Sequence, residues 1–247
     1  MNERMHLTAA RLRSALLSLC AAAALTACGA ASPSATYPPI PPARALATAQ
    51  AINLTAADVP GYQPLAPTQI AWNPQTGPST RCLRIANIIP MATSTSSEYS
   101  SQSGLSGGRL SSLTSTYQSP AAARQVLAAL QAQRAPQCLE RSILTHLAPA
   151  AAESHLKLEP AVQITPLPNT VTGTPDTFAY RMALTAQPHS VSQQQFTVYT
   201  DLYGEVTGPT LTELATYSNG RLIPASTEQH LVNLLAHRAR TILPTGA

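Results

Sequence analysis

The feature that most limits what this chain can become lies in its first 28 residues. Arg4, Arg11 and Arg13, opposed only by Glu3, precede an apolar run over residues 14–25 that carries Leu16, Leu17, Leu19 and the alanines 21–24. A basic start followed by a short apolar segment is the pattern of a secretory leader. The run is about twelve residues, whereas a bilayer span needs roughly twenty, so the pattern predicts a removed leader rather than a retained helix. Leu12 separates Arg11 from Arg13, which leaves out the adjacent pair of a twin-arginine signal, and export as an unfolded chain is expected. A start at Met1 or at Met5 gives a workable leader. The fold must therefore be built from residue 28 onward, in an oxidising compartment.

The apolar run ends in Leu25-Thr26-Ala27-Cys28, followed by Gly29. These positions resemble the bacterial lipobox. The resemblance implies cleavage after residue 27 and acylation of Cys28, with palmitate among the chains. Each buried methylene is worth about 0.8 kcal/mol, so two or three acyl chains hold a protein on a membrane where one does not. Residues 28–45 then form the lipidated cysteine and a spacer rich in Pro, Ser and Ala, a composition that cannot pack a core and favours an extended chain. At ~3 Å per residue it would lift the following domain roughly 50 Å. Its hydroxyls at Ser32, Ser34 and Thr36 are read as plain linker, with glycosylation as the functional option.

Four cysteines are present. Cys20 lies in the leader and Cys28 is the lipidation site, which leaves Cys82 and Cys138 as one pair. In an oxidising compartment a disulfide between them is expected. It closes a loop of about 57 residues and stabilises the fold by roughly 4 kcal/mol in the chain-entropy account.

Charge excludes one class of partner. Removing residues 1–27 takes three arginines and one glutamate from the 15 basic and 11 acidic residues, leaving 12 against 10. The basicity is thus largely that of the leader. With a single lysine, Lys157, and no arginine cluster, the chain lacks the basic stripe of a nucleic-acid binder, so no nucleic-acid partner is expected.

Residues 46–247 are read as one globular domain. Residues 46–54 have weak helical spacing, and Thr55-Ala56-Ala57-Asp58 reads as a capped turn stopped at Pro60-Gly61. Residues 63–81, with the sole tryptophan Trp72, read as a long loop that reaches Cys82. Residues 94–103 and 109–118 read as two strands around the Gly-rich stretch 104–108. Ser119-Pro120 starts a helix whose Ala123, Val126, Leu127 and Leu130 share a face. It stops before Pro136, with Cys138 just beyond it, and residues 139–152 read as a second short helix. Residues 156–167, 177–187, 195–205 and 210–218 read as four strands. Phe196, Val198, Thr200 and Leu202 share one face of the third, and Gly208-Pro209 and Asn219-Gly220 punctuate turns. Ser226-Thr227-Glu228-Gln229 reads as a capping box for a closing helix that buries Leu231, Leu234, Leu235 and Ile242. The order predicts an α+β fold, an antiparallel sheet covered by helices, with one disulfide.

These segments carry a resemblance. The lipobox, the entry segment Leu54-Thr55-Ala56-Ala57-Asp58-Val59-Pro60-Gly61, the strand-then-helix unit over residues 114–130 with Ser119-Pro120-Ala121-Ala122-Ala123, the following Cys138, and the closing strands and helix over residues 196–238 resemble the actinobacterial secreted lipoproteins and sensor domains. That group includes the extracellular domain of the kinase PknH and the Mog1/PsbP-like LpqN family. The resemblance implies an α/β sandwich with a cavity or cleft and a ligand-binding or accessory role in the cell envelope. It brings no catalytic motif.

Gly104-Leu105-Ser106-Gly107-Gly108 matches G-x-S-x-G, and Asp201 with His230 or His237 follows in the order of a hydrolase triad. Such a nucleophile needs a strand-to-helix turn, whereas the flanking segments both have strand character, which favours a hairpin. His146, His155, His189, His230 and His237 have no metal-ligand spacing, so no metal site and no cofactor are expected. Asp201, Glu205 and Glu213 read as structural acids at strand ends and turns rather than a glycosidase pair. Arg81 and Arg84 around Cys82 read as a solvated edge, with contact to a partner or a lipid headgroup as the functional option. The reading is a non-enzymatic, membrane-anchored lipoprotein domain on the extracytoplasmic side that binds an envelope lipid, small molecule or protein. The alternatives are a secreted serine hydrolase using Ser106 or an accessory subunit of an envelope complex.

Overall fold

The computed structural model describes residues 37, 40–65, 78–101, 108–153, 156–167, 176–188, 195–219 and 222–243. Cys28 with the leader, Trp72, Ser106, His155 and His189 lie outside the described residues.

The elements run α1 (Pro42–Ile52), a 3-10 turn (Ala56–Asp58), β1 (Tyr62–Pro64), α2 (Pro78–Leu83), β2 (Ala92–Thr95), β3 (Tyr99–Ser101) and β4 (Arg109–Thr116). They continue with α3 (Pro120–Gln131), α4 (Ala135–Glu153), β5 (Leu156–Pro166), β6 (Thr177–Pro188), β7 (Phe196–Thr207), β8 (Thr210–Asn219) and α5 (Ala225–Ile242). All described strands join one antiparallel sheet in the order β1-β3-β4-β8-β7-β6-β5, with β2 also on β4. The last four strands form a meander. Its tightest joint is Gly208-Pro209, where Thr207 pairs with Thr210 and Gly208 takes φ +55°, a conformation that only glycine adopts without strain.

Period-two alternation sends the strand residues to opposite faces, and the two faces are chemically unlike. On one, Phe178, Tyr180, Met182, Leu184, Leu202, Val206 and Leu211 pack with Val126, Leu127, Leu130, Leu139 and Ile143 of α3 and α4. Ser119 caps α3 by accepting from the Ala122 amide, with Pro120 at its start. On the other face, Leu110, Ala179, Tyr203 and Leu214 meet Leu231, Val232 and Leu235 of α5, while Ile52 of α1 packs with Ala239 and Leu243. Helices thus cover both faces.

The second face is also rich in polar groups, and these tie α1 to the sheet. Asn53 Oδ1 accepts from Ser112 Oγ (3.1 Å) and Thr114 Oγ1 (2.8 Å), and its Nδ2 donates to the Ser94 carbonyl (2.9 Å). Asp58 completes a reciprocal capping box with Thr55 and takes both Nη atoms of Arg238 on α5, at 2.8 and 2.6 Å. The capped turn expected at residues 55–58 is therefore present, and it doubles as the anchor of the last helix.

Several expectations need correction. Helix α1 begins at Pro42, and Ala45 is fully buried, so the end of the assigned spacer belongs to the fold. The strand expected over residues 94–103 is two strands on the same edge of β4. At the break, Ser96 Oγ takes the Ser112 amide in place of a ladder bond. Cys82 sits in helix α2 rather than at the end of a loop. Cys138 sits in the first turn of α4, a 19-residue helix that starts before the expected one because Pro136 is tolerated where amides have no helical partner. Asp201, Glu205 and Glu213 are neither at strand ends nor in turns as a group. Asp201 lies mid-strand, and all three are buried. The capping box at Ser226 is absent, since Pro224 is the N-cap and Glu228 turns into the core.

Candidate functional groove

The Cys82–Cys138 disulfide is formed, with the two Cα atoms 5.5 Å apart. It staples the short helix α2 to the start of α4. Where α2 ends, the Arg84 amide donates to the Arg81 carbonyl (3.1 Å) and the Ile85 amide to the Thr80 carbonyl (2.9 Å). This pair of bonds is a Schellman stop, whose central residue takes the left-handed conformation and is usually glycine. Here it is Arg84, at φ 61°. Among the described residues it alone has a positive φ without being glycine.

Beside this stop lies an open groove of about 340 Å³, between the segment after α2 and the exposed side of α3. Leu83, Ile85, Ile88, Ala128, Ala129 and Ala132 give it alkyl walls. Gln125, Arg84 and Arg134 give it polar ones. The alanines are what make room, because a longer side chain at the same places on α3 would fill the trough. Arg134 Nη2 donates to the Leu83 carbonyl at 3.0 Å, which satisfies one of the orphan acceptors at the end of α2. Its Nε is buried and has no hydrogen-bond acceptor among the described residues.

This corner carries positive charge. The four ion pairs among the described residues are Arg109–Glu98, Arg181–Asp201, Arg238–Asp58 and Arg240–Glu205. Arg84 and Arg134 take part in none of them, and no carboxylate lines the groove. Helix α4 starts one residue after Arg134 with no acid in its first turn, so its positive end adds to the same potential.

The acids singled out from the sequence are placed elsewhere. Arg181, Asp201 and Thr216 are cross-strand neighbours on β6, β7 and β8. Arg181 grips Asp201 through Nε (2.8 Å) and Nη2 (2.5 Å). Next to them the Glu228 carboxylate accepts from Tyr203 (2.8 Å) and Thr216 (2.6 Å). Burial pushes the Glu228 carboxyl up, and the nearby Asp201 adds to this, against the pull of its two hydroxyl donors and Arg181. Burial likewise raises Glu205, which Arg240 only partly offsets. Glu213 projects from β8 on the opposite face from these acids, so Asp201, Glu205 and Glu213 do not form a set.

The hydrolase constellation is not assembled. Asp201 is committed to Arg181 under α5, while His230 and His237 are exposed on the outer side of that helix. The strands that flank residue 106 are antiparallel neighbours, with Tyr99 opposite Leu110, a context that lacks the helix a nucleophile elbow requires. His146 lies on α4, and among the described residues no three His, Cys, Asp or Glu side chains are grouped to hold a metal ion. Of the basic pair read from the sequence, Arg84 lines the groove. Arg134 was missed, although a signal existed: residues 78–97 and 120–139 hold Arg81, Arg84, Arg124 and Arg134 and no acid.

Helices on both faces of one antiparallel sheet, stapled by one disulfide, define an α+β sandwich with a shallow, positively charged side groove. No protein-family model matches the chain, and no curated protein matches it. Among solved structures it is similar to the extracellular domain of PknH from Mycobacterium tuberculosis, with a TM-score of 0.44 and 10% identity over 83% of this chain and 99% of that one. At that level the likeness carries no argument about function.

Proposed function

We propose that the chain is a non-catalytic binding domain of the cell envelope, held on the extracytoplasmic side of a membrane by an acylated Cys28, and that it takes its ligand in the groove beside the Cys82–Cys138 bond. The observation that carries the reading is the composition of that groove: alkyl walls with two arginines that no acid neutralises, and among its lining residues no nucleophile and no acid or base. Such a lining suits a ligand with an apolar part and an anionic group. The formed disulfide fits a domain that folds in an oxidising compartment. Among the described residues no helix is long and apolar enough to cross a membrane, so on this reading attachment rests on the amino terminus.

The test has two arms. The full chain, expressed in a host that processes lipoproteins, should partition with membranes and lose that partitioning in Cys28→Ala. Native mass spectrometry of the protein released from the envelope should show a bound molecule. A Cys28→Ala protein still on the membrane would sink the anchoring. Turnover of an ester substrate abolished by Ser106→Ala would replace the binding reading with the hydrolase.

A further inference from the structure

We infer that the groove is built for a single-chain anionic amphiphile, with a carboxylate or phosphate head between Arg84 and Arg134 and an alkyl chain along Ile85, Ile88, Ala128 and Ala132. The inference rests on the binding reading above and names the class of ligand.

Three observations converge. The first is charge: Arg84 and Arg134 face one groove that no carboxylate lines, and neither takes part in the ion pairs found among the described residues. The second is the orphaned Arg134 Nε, a buried donor fixed in place by the bond from Nη2 to Leu83. Nε itself is closed to solvent, so an oxyanion in the groove would pair with the rest of this anchored guanidinium, and hydrogen bonds to charged partners are the strong ones. The third is the residue at the Schellman stop. Glycine is the favoured occupant there, and an arginine holds the left-handed conformation at a cost in stability. A cation is therefore held at the rim of the groove against the preference of the backbone.

Shape selects the rest of the ligand. A flat bilayer cannot enter a concave trough, so the acyl chain must come as a monomer. The open groove of about 340 Å³ has room for one chain along its wall.

The experiment titrates the delipidated full chain with dodecanoate and dodecyl phosphate below their micellar concentrations, using dodecyltrimethylammonium, acetate and inorganic phosphate as controls. Saturable one-to-one binding of the two long-chain anions, at least tenfold tighter than any control, is expected. Arg134→Gln and Arg84→Gln should each weaken it about tenfold, since each removes a charge-assisted bond. Ala128→Phe, which fills the trough and leaves both charges, should abolish it. Arg84→Gly separates function from folding: it should weaken binding equally while the thermal midpoint rises by ~2–4 °C, because glycine relieves the strained stop. Equal binding of the cationic detergent, or binding unmoved by Arg84→Gly and Ala128→Phe, would overturn the inference while leaving a binding domain. Binding to anionic phospholipid vesicles without binding to either monomer would overturn it in favour of a membrane surface. A protein that binds none of these but retains another envelope molecule on native mass spectrometry would refute the ligand class alone.

Discussion

The Glu228 carboxyl is enclosed by α5, β7 and β8 and receives hydroxyl donors from Tyr203 and Thr216, with Asp201 and Arg181 close by. Burial raises its pKa, so the folded state holds this proton more tightly than the unfolded chain does. The folded state then loses stability as pH rises from the ordinary carboxyl value of 4.5 through the raised one. Glu228→Gln keeps the shape and removes the ionisation. Urea midpoints for the two proteins should diverge in favour of the glutamine form as pH climbs through that window. Asp58 has the opposite sign. Burial works against its charge, but the bonds from Arg238 and Thr55 win and hold it below its ordinary value, so its contribution is present at neutral pH and is lost on acidification. Asp58→Asn should therefore flatten the acid limb of the stability profile. Of this, only the capped turn that holds Asp58 was legible in the sequence. Glu228 sits where a capping box would place it, and only the sheet passing beneath α5 reveals that it points inward.

At the scale of elements, Gly204 marks how closely the layers fit. It lies opposite Phe178 across β6 and β7, and a Cβ there would run into the Phe178 ring. Gly204→Ala should cost about 1–3 kcal/mol by overpacking. Gly204→Ala with Phe178→Leu should cost less than the sum of the two single changes, because one clash is shared, as chemical denaturation of the four proteins would show. The buried hydroxyl network has a similar role at α1. Asn53→Ala leaves the Ser112 and Thr114 hydroxyls without their acceptor and should cost ~1–3 kcal/mol, with faster amide exchange in residues 42–52. Strands β5 to β8 were legible to within about two residues and helix α3 at its start, because alternation, capping by Ser119 and the Gly208-Pro209 turn agree with one another, but α3 ends at Gln131 rather than just before Pro136. Helices α2 and α1 were less so. Both begin at prolines, Pro78 and Pro42, in stretches whose proline content reads as loop or spacer.

For the whole molecule, the disulfide connects compartment, stability and site. It was legible by elimination, since only two of the four cysteines remained after the leader and the lipidation site were set aside, and its bond is formed. Cys82→Ala with Cys138→Ala should cost roughly 4 kcal/mol and loosen α2 first, so affinity at the groove should fall before the sheet unfolds. The groove itself was only half legible. Arg84 drew attention beside Cys82, but Arg134 is 50 positions away and joins it only because the staple folds α2 against α4. Native mass spectrometry of the protein recovered from the envelope shows whether an envelope binding domain uses this groove. A stoichiometric long-chain anion, released on denaturation and missing from Arg84→Gln with Arg134→Gln, is the result predicted. A clean mass without any bound molecule, from wild type and variant alike, would contradict it.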